Sequence, residues 1–331
     1  MSHTPDRRLI AVLVLAPVLA ALALWAFAWP AARTAPRDLP LGVAGPAAAA
    51  TQVERRLEGQ DGAFEIHRYA DEAAARDAVE DRTVYGAVVV TPRGPVLLTA
   101  SAAGPAVAQL LQQAVARQAA ADGTQVRTVD VVATPPGDPR GAAFNASVLP
   151  LALAGIAAGA VVTVLGLRGP RAVVALLGAS ALVGLAAAGI AHSWLGVLTG
   201  DWWAEAAVLG LSSLAVSGAV AGLAALTGPA GIGIAGGVVM LLGNPFSGAA
   251  SAPQMLPEPA GAIGQWLPPG AGTTLLRSVA YFDGAAATGP ALTLAWWAAL
   301  GLGAVLLGGP LRARKRARAS TAGTRELSTV G

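Results

Sequence analysis

Residues 9–29 read LIAVLVLAPVLAALALWAFAW, an apolar stretch without one charged side chain. A helix of about 20 such residues is long enough to cross the hydrocarbon core of a bilayer, which is about 30 Å thick. Ala26-Phe27-Ala28 also resembles the cleavage site of a secretory signal, but the apolar core of a signal is usually only about 7–15 residues long. The greater length favours a retained membrane anchor, and both interpretations place the following segment outside the cell.

The composition of the whole chain is typical of a membrane protein. Of its 331 residues, 54% are hydrophobic and 12% are charged, whereas a soluble domain carries about 25% charged residues. The chain has no cysteine, which excludes disulfides, iron–sulfur clusters and thiol catalysis. Its formal net charge of +3 lies largely in a basic C-terminal tail beside a predicted membrane helix. We therefore expect the lipid bilayer as a partner, and no nucleic acid.

Further apolar stretches predict five more membrane helices, at residues 148–167, 172–191, 206–226, 231–243 and 290–309. Basic residues mark the cytoplasmic ends of such helices. They flank the first span, the turn between the second and third spans and the end of the last span: Arg7, Arg8, Arg168, Arg171, Arg312, Arg314, Lys315, Arg316 and Arg318. The pattern predicts a multi-pass plasma-membrane protein with six spans and both termini in the cytoplasm. Its expected parts are a cytoplasmic N-terminus (1–8), a first helix (9–29), an extracytoplasmic domain (30–145), a five-span membrane domain (146–310) and a basic cytoplasmic tail (311–331).

Residues 33–145 alternate between β-branched stretches typical of strands and alanine-rich stretches typical of helices. The predicted strands are 39–44, 63–69, 84–90, 96–100 and 125–132, and the predicted helices are 47–57, 71–81 and 105–121. Asp71 is expected to begin the second of these helices. The order strand–helix–strand–helix–strand–strand–helix–strand predicts an α/β domain with a mixed sheet. The predicted fold class is thus an α-helical membrane bundle with this extracytoplasmic α/β domain inserted between spans 1 and 2.

Pairs of glycines four residues apart occur in three of the later spans: Gly155 with Gly159, Gly218 with Gly222, and Gly233 with Gly237. Such pairs let the backbones of neighbouring helices approach closely. We interpret all three pairs as helix-packing contacts.

Residues 244–285, between the last two predicted spans, are rich in proline and still apolar. The span at 231–243 is short for a full crossing, about 20 Å, and it stops at Asn244-Pro245 because proline interrupts a helix. Non-helical backbone at membrane depth must be covered by protein or a water-filled cavity. We therefore predict a fold-back of two short helices that dip into the outer leaflet, rather than an ordinary surface loop.

The residues of this segment that we expect to shape an outer mouth are Asn244, Pro245, Gln265, Trp266, Pro268, Pro269 and Arg277. Arg277 could meet an anionic headgroup, although an interface arginine that simply reaches the phosphate level of the lipids is the simpler interpretation.

Catalytic and cofactor-binding patterns are missing from the sequence. The sole lysine does not follow a glycine-rich phosphate-binding loop, and the histidines are scattered without metal-ligand spacing (Lys315; His3, His67 and His192). The predicted spans hold no charged residue in their central turns, and Asp201 with Glu205 is interpreted as a solvated helix start. Ion-coupled pumps usually place an ionisable residue in the membrane. The sequence thus predicts a non-enzyme without cofactor or metal, whose energy enters through another polypeptide.

Several short stretches resemble one known family. They are GNPFSGAA (243–250), MLP (255–257), QWLPPG (265–270) and LRSVAYF (276–282), together with DPRG (138–141) leading into VLP (148–150). These resemble the membrane subunits of ABC-2 type transporters, in particular the YhgE/Pip-like branch. The resemblance implies a permease subunit, in a homo- or heterodimer of membrane subunits, that exports a hydrophobic or amphiphilic compound with a separate nucleotide-binding ATPase subunit. Minimal cytoplasmic loops keep an alternative open, a non-transporting cell-envelope protein whose outer domain binds a partner.

Overall fold

A computed structural model describes residues 7–59, 62–121 and 123–328. Residues 1–6 of the predicted cytoplasmic N-terminus and the last three residues of the predicted tail lie outside the described residues. The chain enters the structure with helix α1 (Arg7–Ala32), which contains the apolar stretch at 9–29. This helix lies at the periphery, with 6% of its apolar window buried. Near its end, Trp29 packs edge-on against Phe246 at 6.1 Å between ring centroids.

The α/β domain follows α1 in the predicted order of elements. These are β1 (Leu39–Ala44), α2 (Ala47–Glu58), β2 (Phe64–Tyr69), α3 (Glu72–Glu80), β3 (Gly86–Thr91), β4 (Gly94–Thr99), α4 (Pro105–Ala121) and β5 (Arg127–Asp130). The sheet order is β2-β1-β3-β4-β5. The pair β3–β4 is antiparallel because a tight hairpin joins the two strands, and the other neighbouring pairs are parallel. The predicted mixed sheet is confirmed, as is the helix start at Asp71, whose carboxylate accepts a 2.9 Å hydrogen bond from the N–H of Ala74.

Apolar side chains cover both faces of the sheet. Val79 of α3 packs with Leu98 on one face, while Leu111 of α4 packs with Leu41 and Leu97 on the other. Neighbouring strand residues alternate between the two faces. Each such buried side chain contributes about 1.5–3 kcal/mol relative to an exposed one.

The described residues after the α/β domain are mostly helical. Its helices are α5 (Ala142–Val164), α6 (Gly169–Ala188), α7 (Trp202–Thr227), α8 (Ala230–Val238), α9 (Ala260–Trp266), α10 (Pro268–Tyr281) and α11 (Thr288–Ser328). Wider π-helical turns extend α6 to Trp194 and α8 to Gly243. Five helices of the described chain are long and apolar enough to cross a membrane, namely α1, α5, α6, α7 and the first half of α11, Thr288–Gly308. The protein is therefore a multi-pass membrane protein by helix length and composition.

The predicted span at 231–243 corresponds to a shorter helix, Ala230–Gly243. Its length is about 21 Å at 1.5 Å per residue, which is less than the hydrocarbon thickness of about 30 Å. The structure therefore gives five full-length candidates where the sequence predicted six. The chain passes along this helix from the end of α7 to the side of Trp29.

Helix α7 is the centre of the bundle. It is 72% buried over its apolar window, and it contacts α5, α6, α8, α10 and α11. Glycines allow the contacts of α7 with α5 and with α11. A Cβ at Gly159 would lie 2.6 Å from the carbonyl oxygen of Ser217, and a Cβ at Gly222 would lie 2.6 Å from the carbonyl oxygen of Gly301. The packing role predicted for the first two glycine pairs is confirmed.

The third glycine pair does not pack against another helix. At Gly233 and Gly237, an added Cβ would meet no described atom within 4 Å. The prediction of a helix contact at this pair was wrong, because the short helix α8 turns this face away from its neighbours.

The connections of the bundle alternate between two ends. At one end, the domain end, the α/β domain joins α1 and α5, and the loop from α6 to α7 lies there as well. At the other, the far end, the turn from α5 to α6 meets the turn from α7 to α8 and Gly308 of α11 around one cavity. Beyond Gly308 the backbone of α11 continues as a helix to Ser328, so the predicted basic tail at 311–331 is mostly helical.

Candidate functional site

Residues 244–285 form two short helices, α9 and α10, after a 3₁₀ turn at Pro253–Met255. This confirms the predicted fold-back of two helices. Pro268 and Pro269 occupy the first turn of α10, where proline is tolerated because its missing N–H would have no partner in the helix. We call residues 244–285 the fold-back segment.

The fold-back segment is wedged between the α/β domain and the helix bundle. Met255 packs in the domain core beside Leu39 and Leu97, and Phe282 packs in the same domain on the other face of the sheet. In contrast, Leu275 and Leu276 of α10 belong to the core of the bundle. The segment was expected to dip into the outer leaflet, and its depth in the membrane stays a prediction. In the structure, α10 is covered by protein on nearly every side. The chain itself therefore buries most of the apolar side chains of α10.

Backbone hydrogen bonds tie the segment to the linker after α1. The N–H of Ala35 donates to the Met255 carbonyl at 3.0 Å, and the N–H of Arg37 donates to the Gln254 carbonyl at 2.9 Å. The Gln254 side chain in turn accepts a 2.9 Å hydrogen bond from the Tyr85 hydroxyl. These bonds fix the domain against the segment.

Most of the predicted mouth residues meet at one junction of the fold-back segment. Asn244 ends the π-helical turn, and its carbonyl accepts a 2.8 Å hydrogen bond from the Ser247 hydroxyl. The amide of Gln265 donates to the Ser247 carbonyl at 3.1 Å and accepts from the Thr274 hydroxyl at 2.7 Å. Gln265 therefore joins the loop that begins at Asn244 and Pro245 to α10.

The remaining apolar residues of the predicted set separate into buried and exposed groups. Pro268 and Pro269 are buried, and a Cβ at Gly243 would lie 2.8 Å from the Pro269 ring. Trp266 is 75% exposed, and its carbonyl accepts a 2.8 Å hydrogen bond from the Trp297 indole. Trp266 thus faces outward, while the prolines pack inside the protein.

Arg277 is buried in protein, and it does not reach the lipid surface as the sequence suggested. It is 3% exposed, donates to the Ala249 carbonyl at 2.9 Å and stacks over the Phe144 ring at 4.8 Å. Burial, with a smaller effect of the nearby positive charge of Arg82, lowers the pKa of Arg277 to about 10. The prediction was wrong because no local pattern reveals that the α/β domain covers this face of α10.

A second guanidinium approaches α10 from the α/β domain. Arg82 donates to the Thr274 carbonyl at 3.1 Å and to the Ser278 hydroxyl, and it lies 5.2 Å over the Phe282 ring. Burial also lowers the pKa of Arg82. Within the described residues, neither Arg82 nor Arg277 has a carboxylate within ion-pair distance. Sequence reasoning missed Arg82, which carries no signal beyond its place after a helix.

Glu205 is fully buried and paired, which corrects the expected solvated helix start. Its Oε2 lies 2.8 Å from Nδ1 of His192, and its Oε1 accepts a 2.8 Å hydrogen bond from the N–H of Gly200. Asp201 does cap the helix, accepting from the N–H of Ala204 at 2.8 Å. The loop from α6 to α7 is thereby held against the first turn of α7, at the domain end of the bundle.

An apolar groove lies between α5, α7 and α10. It is narrow, with a cavity volume of about 30 Å³, and is lined, among others, by Ser147 and Val148 of α5, Leu209 and Ser212 of α7, and Pro269 and Thr273 of α10. A larger cavity of about 360 Å³ lies at the far end, lined by Thr163, Arg168, Gly228 and Pro229 among others. The two spaces are separated along the α5–α7 interface by the close contacts at Gly155 and Gly159.

The described residues hold no group of three or more His, Cys, Asp and Glu side chains that could bind a metal ion. No protein-family model, curated protein or solved structure matches this chain.

Proposed function

We propose that the chain is the membrane permease subunit of an ABC-2-like export system for a hydrophobic or amphiphilic compound, energised by a separate ATPase. The observation that supports this most is the pair of spaces at different depths of the α5–α7 interface, an apolar groove towards the domain end and a cavity at the far end. The helix contact at Gly155 and Gly159 closes the path between them. A small relative movement of α5 and α7 would connect the two spaces.

The proposed orientation places the far end in the cytoplasm. Arg168 and Arg171 flank the turn from α5 to α6 at that end, and basic residues of short loops stay on the cytoplasmic side. The α/β domain would then be extracytoplasmic. Compounds would enter from the far-end cavity and leave beside the fold-back segment.

The near absence of charged residues around the two spaces supports an energy source on a separate ATPase rather than ion coupling. Among their described lining residues, Arg168 at the far end is the single charged one. Glu205 is buried, but it lines neither space and is paired with His192 at the domain end. A coupling ion would need an ionisable residue on its path, and Glu205 does not lie on the proposed path.

The extension of α11 offers a place for the ATPase to bind. The turn from α5 to α6 is short, residues 165–168, and gives a partner little surface. By contrast, the helical residues 309–328 would project about 30 Å beyond the span. We propose that this extension and the turn from α5 to α6 together form the coupling surface, in a dimer of membrane subunits.

The test uses the full chain purified from its native membranes. We expect an ATPase subunit to co-purify, and the reconstituted complex to move a fluorescent amphiphile across the vesicle membrane only when ATP is present. A chain that stops after residue 310 should lose the ATPase and keep its thermal unfolding midpoint. Absence of any bound ATPase, together with export that ATP depletion leaves unchanged, would argue against the permease.

The short far-end connections favour one alternative, a non-transporting envelope protein whose α/β domain binds a partner. In that case, chemical cross-linking of whole cells should capture a partner on the domain with equal yield before and after ATP depletion. Because Met255 and Phe282 complete the domain core, this experiment needs the full chain and not residues 33–145 alone.

A further inference from the structure

The far-end cavity lies where several membrane helices end. Its volume is about 360 Å³, near the lower end of the range of ligand pockets, ~300–1,000 Å³. Helices α5 and α7 end beside it at Val164 and Thr227, α6 begins there at Gly169, and the apolar part of α11 ends at Gly308. The ends of membrane helices meet the polar headgroups of a bilayer. The cavity would therefore lie at the depth of the lipid phosphates.

The floor of this cavity is apolar. Its lining includes Val162, Ala172, Ala221 and Val305, which pack together with Leu176 in one buried cluster. Because Leu176 lies two turns into α6, the cluster closes the cavity towards the middle of the bundle. The rim is formed by the turns that join α5 to α6 and α7 to α8. An apolar floor below an open rim fits an amphiphile whose head faces the water.

Arg168 gives the rim a positive charge. It is the single charged residue among the described lining residues. Within the described part of the chain, no carboxylate lies within ion-pair distance of it. A guanidinium presents its N–H donors as a planar fork that matches the oxygens of a phosphate. The charge of Arg168 is therefore available to a ligand.

The charges around the cavity are all of one sign. No Asp or Glu occurs in residues 139–200, 206–257 and 284–325, which contain every described lining residue. The helix dipoles leave this sign unchanged, since α5 and α7 end at the cavity while α6 and α8 begin there, and their partial charges of about half a unit cancel. Basic residues follow Gly308 closely in the sequence: Arg312, Arg314, Lys315, Arg316 and Arg318. The side chains thus select an anion.

A basic helix end is not by itself a binding site. Basic residues at the cytoplasmic ends of spans are common and indicate topology alone. The cavity behind Arg168 distinguishes this end, because basic pockets between membrane helices bind the phosphate head groups of lipids. Arg171, on the next turn, is exposed and does not line the cavity. It therefore serves as an internal control for the charge of Arg168.

We propose that the far-end cavity binds the phosphate head of an anionic membrane amphiphile, with Arg168 as its ionic partner. The first carbons of the chain lie against the apolar floor. The rest of the chain lies outside, because a cavity of about 360 Å³ accepts a head group and not a whole lipid. This inference names the class of compound that enters the permease proposed above, and in that respect it rests on that function.

Binding is tested on the full chain in phosphatidylcholine nanodiscs with radiolabelled lysophosphatidic acid. We expect saturable binding about fivefold tighter than that of a monoacylglycerol of the same chain length, which lacks the phosphate. One partly exposed ion pair produces an effect of this size. Equal affinity for the two compounds would overturn the proposal. So would displacement of the probe by inorganic phosphate at the same concentration as by unlabelled lysophosphatidic acid, since free phosphate would then be the ligand.

Two arginine variants locate the charge. Arg168→Gln should weaken binding of the probe about fivefold, because the head loses its ionic partner. Arg171→Gln removes the same charge from the same connection outside the cavity and should leave the affinity unchanged. An equal loss in the two variants would mean that the general positive charge of this end holds the probe, and the proposal would be wrong.

A second pair of variants tests the space. Thr163→Leu adds volume inside the cavity and should weaken binding of the probe. The matched Val164→Leu changes a neighbouring residue that is 78% exposed and does not line the cavity, so it should bind like the wild type. If Arg168→Gln fails to fold, this pair still decides. Unchanged affinity in Thr163→Leu would contradict a head group inside the cavity.

The experiment also separates this inference from the proposed function. The binding measurement needs no ATPase, so probe binding without ATP-driven export would contradict the permease alone. Conversely, ATP-driven export of an amphiphile, with equal affinity for the probe in the wild type and in Arg168→Gln, would contradict the cavity site alone.

Discussion

At the scale of single residues, Arg82 combines a strained backbone with a buried side chain. Arg82→Gly removes the side chain and the strain together, whereas Arg82→Ala removes the side chain and keeps a Cβ at a φ of 59°. We expect Arg82→Gly to be more stable than Arg82→Ala by about 1–2 kcal/mol. The difference is measured as thermal unfolding midpoints in nanodiscs, and equal midpoints would show that the strain is absent.

Glu205 provides a test of whether a separate ATPase, and not an ion gradient, supplies the energy. Glu205→Gln keeps an oxygen for the N–H of Gly200 and a hydrogen-bonding group beside His192, but it cannot bind or release a proton. If the energy enters through an ATPase, this variant should export at close to the wild-type rate. Loss of export at an unchanged unfolding midpoint would instead assign Glu205 to ion coupling.

Burial of these charged residues could not be predicted from the sequence. Arg277 lies in an apolar segment between predicted spans, and an interface arginine usually reaches the lipid headgroups. Glu205 stands beside two tryptophans at a helix start, which is the pattern of a solvated interface. The groups that cover Arg277, Phe144 and Arg82, come from distant parts of the chain. The partner of Glu205, His192, is close in sequence but lies before the loop that folds it onto α7.

At the scale of elements, the contact between α5 and α7 depends on glycine. A Cβ at Gly159 would lie 2.6 Å from the Ser217 carbonyl oxygen, and one at Gly237 would meet nothing within 4 Å. Gly159→Ala should therefore lower stability by about 1–3 kcal/mol through overpacking. The matched Gly237→Ala should leave it unchanged or raise it by up to about 1 kcal/mol, because alanine favours the helix. Thermal unfolding of both variants checks this, and an equal loss in the two would contradict the assigned contact.

The elements themselves were largely predictable. Strand alternation and the helix start at Asp71 gave the α/β domain its correct order, and prolines correctly divided the fold-back segment into two short helices. The partner of that segment was not predictable, because its apolar residues fit a lipid interface and a protein core equally well. The same ambiguity of apolar pattern explains the wrong assignment at Gly233 and Gly237.

At the scale of the whole molecule, the α/β domain and the helix bundle both pack against the fold-back segment. Met255→Ala or Phe282→Ala should loosen the α/β domain, although both residues lie more than a hundred positions beyond it, because they fill its core. The expected cost is about 2–5 kcal/mol for each, seen as faster amide hydrogen exchange in β3 of the full chain. Trp266→Ala, at an exposed residue of the same segment, is the control. Unchanged exchange in the first two variants would mean that the domain is complete without the segment.

The shared segment also bears on how the protein is made. The chain is synthesised from its N-terminus. In the proposed orientation, residues 33–145 would therefore cross the bilayer well before the ribosome reaches Met255 and Phe282, which close the hydrophobic interior on each side of the sheet. During that interval the translocated portion would present uncovered apolar surface to proteases and would benefit from a chaperone. A premature stop codon anywhere before residue 255 would leave it permanently in that vulnerable state.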